Sequence, residues 1–155
     1  VCLVCNHCPF VLHLAGALGR LADEYADRVA FFAINSNDAV NYPEDAPPRM
    51  PGFARKHGWQ FPYLVDGPQT VARAYGAACT PDFFVADASG RLVYTGQFDS
   101  SRPSAYARKA APLDGGDLRA ALEAALAGSP PPSPQKPSSG CNIKWKPGNA
   151  PEWYA

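Results

Sequence analysis

The sequence predicts an α/β domain in which helices flank a central mixed β-sheet. Three observations carry that class. From Val1 to Tyr75, short apolar runs rich in aromatic and β-branched residues alternate with stretches of helical period, the pattern of parallel strands joined by right-handed crossovers. Two further strand-like runs, Phe83–Ala86 and Leu92–Gly96, flank a turn at Ala88–Gly90 and read as an antiparallel hairpin. At 155 residues, 46% of them apolar, the chain is long enough for one domain with its own core.

Taken in order, Val1–Val4 is the end of a buried strand. Phe10–Tyr25 carries Phe10, Val11, Leu14, Leu18, Leu21 and Tyr25 at helical spacing, and Pro9 suits the first turn of that helix. Val29–Asn35 is a buried strand. Asp38–Gly52, with prolines at 43, 47, 48 and 51, is a long surface loop running into a short helix, Met50–His57. Residues 61–66 are extended, and Gln69–Tyr75 is a short helix stopped by Gly76. Asp114–Ala127 is the last helix, capped by Asp114, with Leu118, Leu122 and Leu126 on one face. These elements define a domain over residues 1–128. Residues 129–140 form a Pro/Ser-rich, polyproline-like linker. Residues 141–155 hold Trp145, Trp153 and Tyr154, too aromatic for a solvating tail, and are expected to dock back on the domain. The chain opens inside an apolar run without Met, so strands ahead of Val1 are expected to be missing and a targeting signal there stays open.

Fourteen basic and fourteen acidic side chains cancel, with no basic block, so nothing favours nucleic acid or an anionic membrane as partner. No apolar run approaches the roughly 20 residues of a membrane span. No resident cofactor or metal is expected.

The chemistry lies in the cysteines. Cys2, Cys5 and Cys8 recur every three residues and Pro9 follows. An iron–sulfur run of this spacing needs a fourth cysteine that Pro9-Phe10-Val11-Leu12 does not supply. Zinc through Cys5, His7 and Cys8 with Cys79 or Cys141 lacks the usual second C-x-x-C knuckle. Two inert buried cysteines fit poorly with the polar Asn6-His7 insert. A redox dithiol fits best. Cys5 at a strand-to-helix junction and Cys8 on the first turn are close enough to bridge, and the helix N-terminus favours a thiolate. Cys5, nearer the exposed end, is the expected attacking thiolate and Cys8 the resolving thiol, with His7 tuning the thiolate. Asn35–Asp38 end a parallel strand and should lie near Cys5, as a turn sequence in preference to a ligand site. Asp82 is either a proton acceptor near the dithiol or a surface residue.

A C-x-x-C-P between a buried strand and a long helix resembles the thioredoxin fold, and Thr80-Pro81 ahead of strand Phe83–Ala86 resembles that fold's cis-proline, which faces the dithiol. The stretches CNHCPF, AINSND, FPYLVD, ACTPDFFVAD, LVYTGQFDSSRP and CNIKWKPGN are similar to a thioredoxin-like branch of the redoxin (alkyl hydroperoxide reductase/thiol-specific antioxidant, peroxiredoxin-like) superfamily, over nearly the whole chain. The resemblance implies a thioredoxin-like fold and a partner chain positioned by Thr80 and Pro81. The sequence departs from true peroxiredoxins. Cysteine stands where they carry Thr three residues ahead of the peroxidatic Cys, and Pro81 stands where they carry Arg. Thiol–disulfide exchange with a protein or small-molecule substrate is therefore the expected activity. A thiol peroxidase, in which Cys5 becomes a sulfenic acid, is the alternative. A metal-carrying or non-catalytic module is the third class. Cys79 and Cys141 are candidate extra redox thiols, without assigned connectivity. Oligomeric state stays open, and among compartments the cytoplasm is favoured.

Overall fold

The computed structural model describes residues 1–154; Ala155, the last residue of the expected tail, lies outside them. Seven strands and four α-helices form. The strands are β1 (Cys2–Leu3), β2 (Ala33–Asn35), β3 (Tyr63–Val65), β4 (Cys79–Thr80), β5 (Asp82–Ala86), β6 (Leu92–Gly96) and β7 (Cys141–Asn142). The helices are α1 (Pro9–Glu24), α2 (Met50–Lys56), α3 (Thr70–Tyr75) and α4 (Gly116–Ala127). Five strands make one mixed sheet in the order β3-β2-β1-β5-β6. β1, β2 and β3 run parallel, while β5 is antiparallel to both β1 and β6. No helix among the described residues is long and apolar enough to cross a membrane.

The period of two in the strands splits the core between two faces. Cys2, Val4, Ala33, Phe83 and Val85 face one way, onto Val11, Leu14, Leu18 and Leu21 of α1 and Leu118 and Leu122 of α4. Leu3, Ile34 and Phe84 face the other, onto Ala72 of α3, Ala77 and Ile143 of the C-terminal segment. Pro9 opens α1 at a position where its missing N–H costs nothing. Tyr25 at the end of α1 donates to Glu123 Oε1 of α4 at 2.6 Å, fixing the two helices side by side.

Several elements differ from the sequence reading. β2 is three residues, not Val29–Asn35, because Val29 N–H still bonds Tyr25 O at the end of α1 and the ladder starts only at Ala33. Asp114 is not the helix cap. Gly115 takes that position with φ of 70°, and Asp114 accepts instead from Gly116 N–H at 2.9 Å. Asp99 Oδ2 holds the turn, accepting from the N–H groups of Asp114 and Gly115 at 2.9 Å each. Leu126 is exposed, since α4 has run past the sheet by then. The Pro-rich loop contains two short 3-10 turns, Pro43–Asp45 and Pro47–Arg49. The pair β4–β7 has no counterpart in the sequence reading.

Residues 135–146 run along the domain. Gln97 N–H donates to Lys136 O at 3.0 Å, and Ser138 Oγ donates to Asp82 Oδ1 at 2.7 Å and contacts Gly96 O at 2.6 Å. Beyond β7, Ile143 is 3% exposed in the second core. Lys144 and Lys146 then bond to Asn37 and Gln69, both at 2.9 Å.

Candidate functional site

Cys5 follows β1 and Cys8 occupies the N-cap of α1, so the C-x-x-C spans the turn at the C-terminal end of the parallel strands. Open α/β sheets place their sites at this end. Both sulfurs converge on one residue. Cys5 Sγ lies 3.4 Å from Thr80 Oγ1, and Cys8 Sγ lies 3.1 Å from Thr80 O. Thr80-Pro81 is a cis peptide. The fold thus brings Cys5, Cys8, Thr80 and Pro81 together across 75 residues of chain.

The expected exposure of Cys5 is corrected: Cys5 and Cys8 are both 0% exposed. The cover over Cys5 is the Pro43–Asp45 turn. Asp45, itself 2% exposed, accepts from Asn6 N–H and from Asn37 Nδ2, both at 2.7 Å, and its carbonyl accepts from Asn35 Nδ2 at 3.1 Å. Asn6 is held further by Tyr63 Oη at 3.0 Å. Asn35 and Asn37 therefore do lie near the dithiol, where they secure the covering turn. Ser36 donates to Asp66 Oδ2 at 2.9 Å.

His7 addresses the carboxylate before the sulfurs. Its Nδ1 is 2.8 Å from Asp45 Oδ2, at ion-pair distance but off the hydrogen-bonding line, and its ring stacks on Tyr42. Cys5 Sγ, His7 Nδ1 and Asp45 Oδ lie within 4.8 Å of one another. Sulfur, imidazole and carboxylate are donors a divalent cation could use. Here Asp45 already accepts two hydrogen bonds and Cys5 already faces Thr80, while His7 Nδ1 is buried without a hydrogen-bond partner.

The two thiols ionise as a pair. Their mutual contact eases the first proton off and makes the second hard to remove. Contact with Cys5 is the largest cause lowering Cys8, assisted by the Cys141 thiol and the Val11 and Cys141 N–H groups. Contact with Cys8, then burial, then the Asp45 carboxylate raise Cys5. The two contacts with Thr80 work the other way. A carbonyl oxygen 3.1 Å from Cys8 Sγ accepts only from S–H, and the Thr80 hydroxyl is free to donate to a Cys5 thiolate.

The other cysteines differ in kind. Cys2 is buried in β1, its thiol directed to Phe32 O at 3.4 Å, and burial raises it to about 11. Cys79 contacts Pro81 O at 3.6 Å and is raised to about 12, chiefly by burial. Cys141 is partly exposed and sits opposite Thr80 in the β4–β7 pair. Asp82 is 6% exposed and bonded by Ser138; burial raises its carboxyl.

The sequence reading assigns Asp45, Gln69 and Lys144 no part in the site. Gln69 is fully buried in left-handed backbone, φ 62°, and its amide bonds Ser36 O, Lys144 O, Lys146 N and Asn149. The proline cluster around Asp45 was a signal for rigid turns, but not for a buried carboxylate.

The family model described as Redoxin matches residues 1–110. The chain belongs to the Redoxin family. Two solved structures lie near this Redoxin member. A crystal structure of an uncharacterized conserved protein from Geobacillus kaustophilus is 53% identical, covering 94% of this chain and 76% of that one, with a TM-score of 0.88. A hypothetical protein from Sinorhizobium meliloti 1021 is 48% identical, covering 95% of this chain and 79% of that one, with a TM-score of 0.90. The solution structure of a thioredoxin-like protein in its oxidized form is 17% identical, with a TM-score of 0.61 over 83% of this chain and 78% of that one. That likeness shows the fold, which is thioredoxin-like. No curated protein matches the chain. Family and fold together support thiol-based redox chemistry in general.

Proposed function

We propose that this Redoxin member is a thiol–disulfide oxidoreductase whose working dithiol is Cys5 and Cys8. The observation that carries the reading is the convergence of both sulfurs on Thr80, whose hydroxyl is free to donate to a Cys5 thiolate and whose carbonyl accepts from a Cys8 thiol. Cys5 thiolate attacks a substrate disulfide, forming a mixed disulfide and releasing one substrate thiolate. Cys8, deprotonated as it leaves the Thr80 carbonyl, attacks Cys5 Sγ. The Cys5–Cys8 disulfide forms and the second substrate thiol departs. Thr80 and Pro81 position the substrate chain, and His7 acts through Asp45, whose carboxylate opposes charge on Cys5.

The experiment is a pair of trapping variants assayed with a model disulfide. Cys5→Ser is expected to abolish exchange, and Cys8→Ser to accumulate mixed disulfides on Cys5. Wild-type exchange by Cys5→Ser would refute the reading, and trapping on Cys8 alone would reverse the order of attack. Peroxide consumed at least as fast as disulfide would favour the peroxidase alternative, with a Cys5 sulfenic acid closed by Cys8.

A further inference from the structure

The C-terminal segment lies on the dithiol. β7 pairs antiparallel with β4 so that Cys141 stands opposite Thr80 and Asn142 opposite Cys79. Thr80 is the residue whose carbonyl and hydroxyl hold Cys8 and Cys5. Directly opposed residues in an antiparallel pair share one face, and neighbours along a strand point to opposite faces. Cys141 therefore shares the Thr80 face with the dithiol, while Cys79 takes the other face with Asn142. The approach is close. A Cβ on Gly140 would fall 2.0 Å from Thr80 O, so only glycine allows the chain past that carbonyl. Cys141 packs against the same core cluster that contains Cys5 and Cys8.

The segment is fastened on both sides of Cys141. Upstream, Ser138 bonds Asp82 Oδ1 and Gly96 O. Downstream, Ile143 N–H bonds Ala78 O at 3.3 Å and its side chain is buried. Cys141 itself is partly exposed. It is thus a half-buried thiol on a fastened strand, not one on a loose end.

We propose that Cys141 is a third redox thiol of this site, closing a disulfide with Cys8 that locks β7 along Thr80. The proposal rests on the dithiol reading, which supplies its oxidising equivalents as the Cys5–Cys8 disulfide. Cys141, after losing its proton to solvent, attacks Cys8 Sγ. The Cys8–Cys141 bond forms, the Cys5–Cys8 bond breaks, and Cys5 leaves as a thiolate beside the Thr80 hydroxyl. One disulfide replaces another, so no further oxidant or reductant is consumed. Cys8 is the sulfur attacked because the Cys141 thiol lies in contact with it, across from Thr80. The departing Cys5 thiolate lies 3.4 Å from the Thr80 hydroxyl, which is free to donate to it. In the locked form the β4 edge is filled by the protein's own strand, and an extended substrate chain has no place to pair.

The test is disulfide mapping of the full chain. Reduced protein is treated with oxidised glutathione, quenched in acid, labelled with a maleimide, digested without reductant and sequenced by mass spectrometry. Wild type is expected to yield both Cys5–Cys8 and Cys8–Cys141 links. Cys5→Ser, or Cys5→Ala should the first fail to fold by circular dichroism, is expected to yield Cys8–Cys141 with loss of the maleimide label from Cys141. A Cys141 that keeps its label while Cys8 carries glutathione overturns the proposal, as does Cys79–Cys141 as the main product. The two readings fail separately. A Cys5–Cys8 link with normal exchange and no Cys141 link leaves the dithiol reading intact. A Cys8–Cys141 link in a protein whose Cys5→Ser variant exchanges at the wild-type rate overturns the dithiol reading and the isomerisation step with it, and keeps only the bond.

Discussion

Gln69→Ala should release the C-terminal segment without unfolding the domain. The Gln69 amide makes four hydrogen bonds. Nε2 donates to Ser36 O at 2.6 Å and Lys144 O at 3.0 Å, and Oε1 accepts from Lys146 N at 2.9 Å and Asn149 Nδ2 at 3.0 Å. Three of the four reach the segment. At roughly 1 kcal/mol net for each, docking loses about 3 kcal/mol, or about a hundredfold in the closed-to-open ratio. The orphaned Ser36 carbonyl destabilises open and closed forms alike and leaves that ratio unchanged. The assay is native-state hydrogen exchange at Ile143 and Lys144. Their amides donate to Ala78 O and Asn37 Oδ1, so they report opening of the segment and not merely the loss of the Gln69 bonds. Both should exchange on the order of a hundred times faster, while Phe83–Val85 amides in β5 change far less. Ile143 and Lys144 exchanging at the wild-type rate would show that Gln69 does not hold the segment.

Gly140→Ala puts a methyl group against Thr80 O, an overpacking of about 1–3 kcal/mol that should push β7 off its edge and speed alkylation of Cys8. Unchanged alkylation, with Cys141 still protected, would contradict the close approach. The reduced pair should keep its thiolate ultraviolet absorbance as pH falls from about 8 to about 6, below the ordinary thiol value of roughly 8.5. The sign follows from linkage. With its first ionisation depressed, the folded pair binds fewer protons than the unfolded chain in that window, so stability rises with pH there and is lost as pH falls through the depressed value. Cys8→Ser should remove both the absorbance and the slope, and their persistence would assign them to other groups. Asp45→Asn removes the carboxylate that opposes charge on Cys5 and should lower the Cys5 ionisation in the Cys8→Ser background, read by the pH dependence of alkylation. The same change weakens one of two buried hydrogen bonds, at a cost of about 1–3 kcal/mol in a denaturant titration.

The parts of this molecule that read clearly from sequence are those set by local periodicity. α1, the hairpin β5–β6 and α4 each announce themselves through apolar spacing, and the central mixed sheet follows from their order. The place of the C-x-x-C at a strand-to-helix turn reads clearly as well, because the end of β1, the two cysteines and Pro9 lie in one short stretch. What stayed hidden is non-local. Nothing in the sequence around Asp45 says that a carboxylate will be buried over Cys5, since charged residues are exposed by default and only its partners, Asn37 eight positions before it and Asn6 thirty-nine, make its burial tolerable. Gln69 is hidden for the same reason. Its left-handed backbone carries no glycine to flag it, and its four partners come from two distant segments. The pairing of β4 with β7 involves two residues on each side, too short for any pattern of two to register.

These hidden contacts give the proposed exchange reaction a further test. On the proposed reading a substrate strand and β7 compete for one edge at Thr80, so the closed-to-open ratio divides the apparent affinity for substrate. A segment docked by about 3 kcal/mol is open less than about 1% of the time and weakens substrate binding by roughly a hundredfold. That is the size of the change assigned to Gln69→Ala. The variant should therefore lower the substrate concentration needed for half-maximal exchange by nearly the factor by which it speeds hydrogen exchange at Ile143, with the rate at saturation little altered. A matched pair of factors identifies the segment as a competitor for the Thr80 edge. Faster hydrogen exchange with unchanged substrate dependence would place substrate binding elsewhere and leave the docking of β7 a matter of stability alone.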